Sequence, residues 1–169
     1  MKKLYPLILC LAACGFTPLY SSRDPEFAAN IASIYVEPID GVNGIKLRNR
    51  LEDNLLKSGG SQQAALYTLN VKISSRERYL GIRSDEIATL ISSTYTAKVV
   101  LTERANNKVL MTDSFSAATS RNVLSDPYST IVSQEAGEER VFKILADDIA
   151  TKLTLFFKNI DISPDKDAI

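Results

Sequence analysis

Tyr67-Thr68-Leu69-Asn70-Val71-Lys72-Ile73-Ser74 is the stretch on which the fold turns. Its odd positions are apolar and its even positions polar, the two-residue period of a strand with one face buried and the other in water. The pattern predicts a strand from Leu66 to about Tyr79. Two further segments repeat it with no helical interruption. From about Ile91 to Arg104, Tyr95, Ala97, Val99 and Leu101 alternate with Thr94, Thr96, Lys98 and Thr102. From about Lys108 to Ala118, Val109, Met111 and Phe115 form the apolar side. Asn106-Asn107 between them suits a tight hairpin. Asp113 interrupts the apolar side of the third segment, so a bulge or bend is expected there.

Toward the N-terminus, Ile31 to Pro38 predicts a first strand, with Ile34 and Val36 on one side and Tyr35 on the other. Asp40-Gly41 ends it. Asn43 is a candidate N-cap for a helix from Gly44 or Ile45 to Ser58, with Leu47, Leu51 and Leu55 as its apolar stripe and Gly59-Gly60 as its stop. Toward the C-terminus, Ser125-Asp126-Pro127 is a helix start. A helical period then runs to Asn159, with Phe142, Leu145, Ile149, Leu153, Phe156 and Ile160 spaced by three or four. Gly137 is expected to weaken, break or kink that helix. Asp161 to Ile169 reads as a loose polar tail.

The order is therefore β-α-β-β-β-α. A strand joined to the next through a helix is most simply a right-handed crossover onto a parallel neighbour, and the remaining strands make an antiparallel meander. Two helices with one apolar stripe each cover one face of a four-stranded mixed sheet. The expected fold class is thus α/β, an α+β two-layer sandwich.

At 169 residues, 45% apolar and 24% charged, the composition is that of an ordinary globular protein without internal repeats. The N-terminus is different. Lys2-Lys3, an apolar run from Leu4 to Leu11 and small residues before Cys14 have the layout of a secretory signal, too short for a membrane span of about 20 apolar residues. Leu11-Ala12-Ala13-Cys14 resembles the bacterial lipobox, in which the cysteine becomes the first mature residue and takes a diacylglyceryl group on sulfur and a further acyl chain, typically palmitate, on its amine. Two or more chains anchor stably where one binds marginally. Gly15 in place of Asp favours sorting to the outer membrane. The expected organisation is a signal peptide over residues 1–13, a lipid-anchored spacer over 14–30, one domain over 31–160 and a flexible tail over 161–169. Cleavage discards Cys10, leaving Cys14 as the one mature cysteine and no intramolecular disulfide. It also removes Lys2 and Lys3, so 18 basic residues face 20 acidic ones for a net charge of −2. That is no global field for nucleic acid.

Cys14-Gly15-Phe16-Thr17-Pro18-Leu19-Tyr20 behind the lipobox resembles the mature N-terminus of the LptE family, the lipopolysaccharide-assembly lipoproteins, especially the alphaproteobacterial members. The element order and mature length are similar to that family across the domain. The resemblance implies a lipoprotein on the periplasmic side of the outer membrane that sits in the lumen of the LptD β-barrel, assists its assembly and helps deliver lipopolysaccharide to the outer leaflet. The alternative is a lipoprotein subunit of another envelope lipid-transport or secretion complex, differing in its barrel partner.

Enzymatic chemistry finds little footing. The chain has no histidine, which removes the usual general base, the zinc motifs built on histidine and the Ser-His-Asp triad. Ser163-Pro164-Asp165-Lys166 has a serine-lysine spacing but lies in the tail without companion motifs. Asp147-Asp148 point roughly 100° apart on a helix and read as a solvated edge. Gly59-Gly60 lacks the Lys and Ser/Thr of a phosphate loop. No catalytic residue, metal site or cofactor is expected beyond the lipid on Cys14.

Parity of the strands marks one surface. The even positions collect Lys72, Arg76, Arg78, Lys98, Arg104 and Lys108, while Glu77, Glu103 and Asp113 fall on odd positions. A near-neutral protein would carry a one-sided basic face, a candidate contact for lipopolysaccharide phosphates or an acidic barrel lining. Strand lysines also serve simply to deter edge pairing and keep a sheet soluble.

Overall fold

The structure, a computed structural model, describes residues 30–56, 65–82, 88–122 and 127–161. In chain order the elements are β1 (Ile34–Val36), α1 (Gly41–Leu56), β2 (Tyr67–Ile82), β3 (Ala88–Glu103), β4 (Lys108–Asn122) and α2 (Pro127–Asp161). The sheet order is β1-β2-β3-β4, with β1 parallel to β2 and the other neighbours antiparallel. Both helices lie on one face of this mixed sheet, so the β-α-β-β-β-α two-layer α+β sandwich is the observed fold.

β1 is shorter than its alternation suggests. Asn30 to Ala32 form a helical turn, closed by the Ser33 N–H (3.2 Å) and hydroxyl (2.8 Å) donating to the Asn30 carbonyl. A chain turned there becomes extended only at Ile34. The expected strand over Ile31 to Pro38 is thereby cut at its start, and it ends at Val36 as the chain turns toward α1. α1 starts at Gly41, two residues before the expected cap, so Asn43 lies inside the helix. Gly41 supplies a φ of 81° that other residues adopt only at a cost. Gly44 then lets the first turn lie against the chain it has just left. A β-carbon on Gly44 would meet the Ile39 carbonyl oxygen and come within 2.7 Å of its carbon. The expected stop at Gly59-Gly60 and the cap at Ser125-Asp126 lie outside the described residues.

β2 and β3 pair without a slip from Tyr67↔Glu103 to Ile82↔Ala88, longer than expected at the hairpin end. The β3–β4 turn uses Asn107 at a φ of 55°, with the Asn106 side-chain oxygen accepting the Lys108 N–H at 2.9 Å. The bulge is not at Asp113. Leu101 pairs with Met111 and Thr102 with Val109, so Leu110 is the extra residue. Parity reverses across it, which turns Val109, expected inward, outward at 56% exposed. Asp113 stays in the ladder opposite Val99 because its carboxylate has partners, the Ser114 N–H at 2.8 Å and Lys152 Nζ at 2.9 Å.

The core lies between the layers. Leu47, Leu51 and Leu55 of α1 and Val141, Phe142, Leu145, Ala146, Ile149 and Leu153 of α2 close over Leu69, Val71, Tyr95, Ala97, Val99, Leu101 and Met111. Fully burying one such aliphatic side chain is worth about 1.5 to 3 kcal/mol. At the helix end the stripe departs from expectation. Phe157, 2% exposed, takes the core position, Phe156 is half-buried, and Ile160 is 50% exposed. The cause is an aromatic contact from the sheet, Tyr67 meeting Phe157 edge to face at 4.9 Å between centroids. α2 is also unbroken at Gly137. The glycine brings the helix close to β4, where a β-carbon would stand 2.7 Å from the Thr119 hydroxyl.

Candidate functional site

In antiparallel pairs, residues directly opposite share a face, so the register assigns every strand residue to a side. The helix side takes odd positions and the outer side even ones. No helix or strand among the described residues covers the outer side. Lys72 pairs directly with Lys98, which pairs in turn with Ser114. The two lysines are exposed neighbours with Cβ atoms about 5 Å apart, an arrangement that repels unless an anion lies between or above them.

One pleat along β2, Arg76 and Arg78 line a groove of about 460 Å³ with Ser74, Ser75, Thr94 and Thr96. The Thr96 hydroxyl reaches Ser116 on β4 at 2.9 Å, so hydroxyls continue across the sheet beside the arginines. This Ser/Thr lane at the even positions of β3 and β4 was legible in the sequence, yet the charge pattern alone does not single it out. Even positions of β2, β3 and β4 carry no acidic residue. Glu37, just past β1, accepts a hydrogen bond from the Asn70 amide at the rim.

The other two cations separate from this group. Arg104 lies at the far end of the sheet, its guanidinium 5.9 Å from the Tyr35 ring centre and 3.4 Å from the Ala65 carbonyl to which it donates. Lys108 pairs with Glu103, which pairs with Tyr67, so the bulge at Leu110 carries it to the helix side. The six-residue basic face is thus four residues on the open sheet, one at its end and one across the fold. Cys14 lies outside the described residues.

Acidic side chains on the helix side are consumed internally. Glu77 accepts from the Ser93 hydroxyl (3.0 Å) and Arg121 (3.2 Å), Asp113 pairs with Lys152, and Glu103 accepts from Asn106 at 2.9 Å. Lys152 holds the Asp113 carboxyl below the ordinary carboxylate range. Deeper in, Glu138 accepts from the Tyr95 hydroxyl (3.1 Å) and the Gln134 amide (3.0 Å) and meets Lys46 at 3.2 Å. Burial pushes the Tyr95 hydroxyl up to about 12, and the neighbouring Glu138 charge adds to it. The strand acids on this side are paired, while the cations outside share their face of β2 to β4 with no acidic residue. Strand parity finds the odd-side acids but not Glu138, which belongs to the helix.

The cleft between the helices, about 530 Å³, is lined by Lys46, Asn49, Arg50, Asp53, Glu135 and Glu139. Arg50 pairs with Glu139 and the Asn54 amide donates to Asp147 at 3.0 Å, so it is a laced seam. Asp147 and Asp148 are both exposed. Among the described residues no three His, Cys, Asp or Glu side chains group as metal ligands.

The LptE family model, described as lipopolysaccharide-assembly, matches residues 31–153. Over 161 residues the chain is 25% identical to an uncharacterized protein of Rickettsia prowazekii (strain Madrid E), spanning 93% of this chain and 98% of that protein. Among solved structures, a Caulobacter crescentus CB15 protein designated a lipoprotein aligns with a TM-score of 0.62 at 22% identity, covering 79% of this chain and 96% of that one. The minor lipoprotein of Acinetobacter baumannii gives 0.59 at 17% (73% and 92% covered), and rare lipoprotein B of Shewanella oneidensis 0.53 at 15% (76% and 98%). At these identities the structural likeness is one of fold.

Proposed function

Because the chain belongs to the LptE lipopolysaccharide-assembly family, its match spanning residues 31–153, we propose that it is a lipid-anchored outer-membrane subunit that plugs an LptD-type β-barrel, assists that barrel's assembly and hands lipopolysaccharide toward the outer leaflet. The role is binding and transfer, with no bond made or broken. The observation that carries the substrate reading is the Lys72–Lys98 cross-strand pair on an open face that lacks acidic strand residues. Two ammonium groups facing one another meet a phosphate from two sides, and charge-assisted bonds are worth about 1.5 to 3 kcal/mol each. Arg76 and Arg78 extend the positive surface along β2, and the hydroxyls of Thr94, Thr96 and Ser116 suit sugar oxygens. The strand ladder fixes the backbone that carries these groups before the ligand arrives, which leaves only their side chains to be ordered on binding.

The test is the double substitution Lys72→Glu with Lys98→Glu. Lipopolysaccharide affinity measured in vitro should fall at least about tenfold, some 1.4 kcal/mol, and its salt dependence should flatten while the circular dichroism stays native. Unchanged affinity in a folded variant would reduce the basic pair to a solubility device. Copurification from detergent-solubilised membranes should bring down an outer-membrane β-barrel, and a different envelope complex in its place would overturn the barrel assignment.

A further inference from the structure

β1 covers only the beginning of β2. Its three residues pair with Tyr67, Thr68 and Leu69, and the last backbone bond between the strands is the Glu37 N–H to the Leu69 carbonyl at 3.0 Å. β2 continues to Ile82 with an unbroken register on β3. Backbone groups alternate sides along a strand. The Leu66 carbonyl accepts from Arg104 on the β3 side, whereas the Tyr67 N–H and the Leu69 carbonyl face β1. Val71, Ile73, Ser75, Glu77 and Tyr79 therefore turn their N–H and C=O groups to a side where no described strand lies. Nine residues of open edge, roughly 26 Å long, form a template for another strand. The opposite edge differs. There α2 packs against the helix-side face of β4, with Lys152 on Asp113 and Gly137 against Thr119, and one edge N–H, that of Ser114, is already taken by the Asp113 carboxylate.

We propose that this edge of β2, from Val71 to Tyr79, accepts an extended segment of a partner protein in which acidic residues alternate with apolar ones. The side chains beside the edge define the sequence it would take. On the outer face an added strand runs next to Lys72, Arg76 and Arg78, and a carboxylate directly opposite each lies within cross-strand reach. On the helix side it runs next to Val71, Ile73 and Tyr79, which favour apolar residues, while Glu77 is already paired with Arg121.

A second copy of the chain fits poorly in the registers that overlap most of this edge. Two-fold pairing of β2 on itself keeps parity. Centred on Ser75 it sets Lys72 against Arg78, centred on Ser74 it sets Lys72 against Arg76, and centred on Arg76 or Glu77 it sets that residue against its own copy. Like charges directly opposite are destabilising. The cations that guard the edge against self-association thus select a partner of opposite charge.

The probe is an eight-residue peptide alternating Glu with Val and Thr, added to the full-length protein, with amide hydrogen exchange followed residue by residue. Exchange at Val71, Ile73, Ser75, Glu77 and Tyr79 should slow at least tenfold, while the even-numbered amides, already bonded to β3, stay unchanged. The same peptide with Lys in place of Glu should protect nothing. Ser75→Pro, which removes one edge N–H and no charge, should weaken peptide binding at least tenfold. Absence of protection at the odd amides, equal protection by the lysine peptide, or full peptide affinity in folded Ser75→Pro would each overturn the proposal. The exchange pattern of the unaltered chain decides the matter if the proline variant does not fold.

Discussion

Glu138 is 8% exposed and yet stays charged, because the bonds it accepts outweigh its burial. Burial raises its carboxyl pKa, but hydrogen bonds from Gln134, Lys46 and Tyr95 favour the ionised form more, and the net shift is downward. A depressed folded-state pKa means that the unfolded chain takes up protons first as pH falls. The stability from Glu138 is then fully present above the ordinary glutamate value of about 4.3 and is lost as pH drops through the lower folded value. Glu138→Gln should cost about 1 to 2 kcal/mol at pH 7 in a denaturant titration, Lys46 being partly solvated, and should make the loss of stability below about pH 4 shallower than in the parent protein. An acid limb as steep as the parent's would place the linkage elsewhere. The sequence did not mark this residue. Glu138 and Glu139 are adjacent on a helix, and Glu138 is the one on the buried stripe, four residues before Phe142, but only the tertiary structure sets Tyr95 and Lys46 opposite it.

α2 shows how far periodicity carries at the scale of an element. A run of apolar residues at steps of three and four fixes a stripe, and over Phe142 to Leu153 that stripe is the buried one. Beyond Leu153 both Phe156 and Phe157 satisfy the period, and the choice falls to Phe157 because the Tyr67 ring stands opposite. Ile149→Ala should therefore lower stability by about 2 to 5 kcal/mol, whereas Ile160→Ala should stay within about 0.5 kcal/mol. Calorimetric melting of both variants is the check. A large loss at Ile160, or none at Ile149, would mean that the helix docks in another phase. Gly137 was legible as a weak helix former but not as a spacer, since the Thr119 hydroxyl that needs its space lies on another element.

At the scale of the whole molecule, a chain with formal net charge +0 separates its charges by layer. The strand carboxylates Glu77, Glu103 and Asp113 lie on the helix side, where each accepts a hydrogen bond or joins an ion pair, and the open sheet face carries Lys72, Arg76, Arg78 and Lys98. No helix among the described residues is long and apolar enough to cross a membrane, so the proposed membrane attachment rests on lipid at Cys14. Intact-mass measurement on protein extracted from membranes should find a chain beginning at Cys14 with a diacylglyceryl group and an amide-linked acyl chain. An unmodified N-terminus would remove the anchor, and recovery with the inner membrane would remove the outer-membrane assignment.

Alternation and helical period are properties of neighbouring residues along the chain, so the sequence by itself determined the element order, the inward faces of β2 and β3, the core stripe of α1, that of α2 as far as Leu153, and the parallel pairing of β1 with β2. Backbone pairing joins residues far apart in sequence, and no local pattern encodes where it slips or stops. Only the tertiary structure therefore decided that the bulge falls at Leu110, that Lys108 and Val109 change faces there, and that Lys72 stands directly opposite Lys98. The open edge of β2 belongs to the same class. It exists because the chain leaves the sheet after Val36 and enters α1 at Gly41, so β1 ends opposite Leu69 and the rest of the longer neighbouring strand has no partner among the described strands.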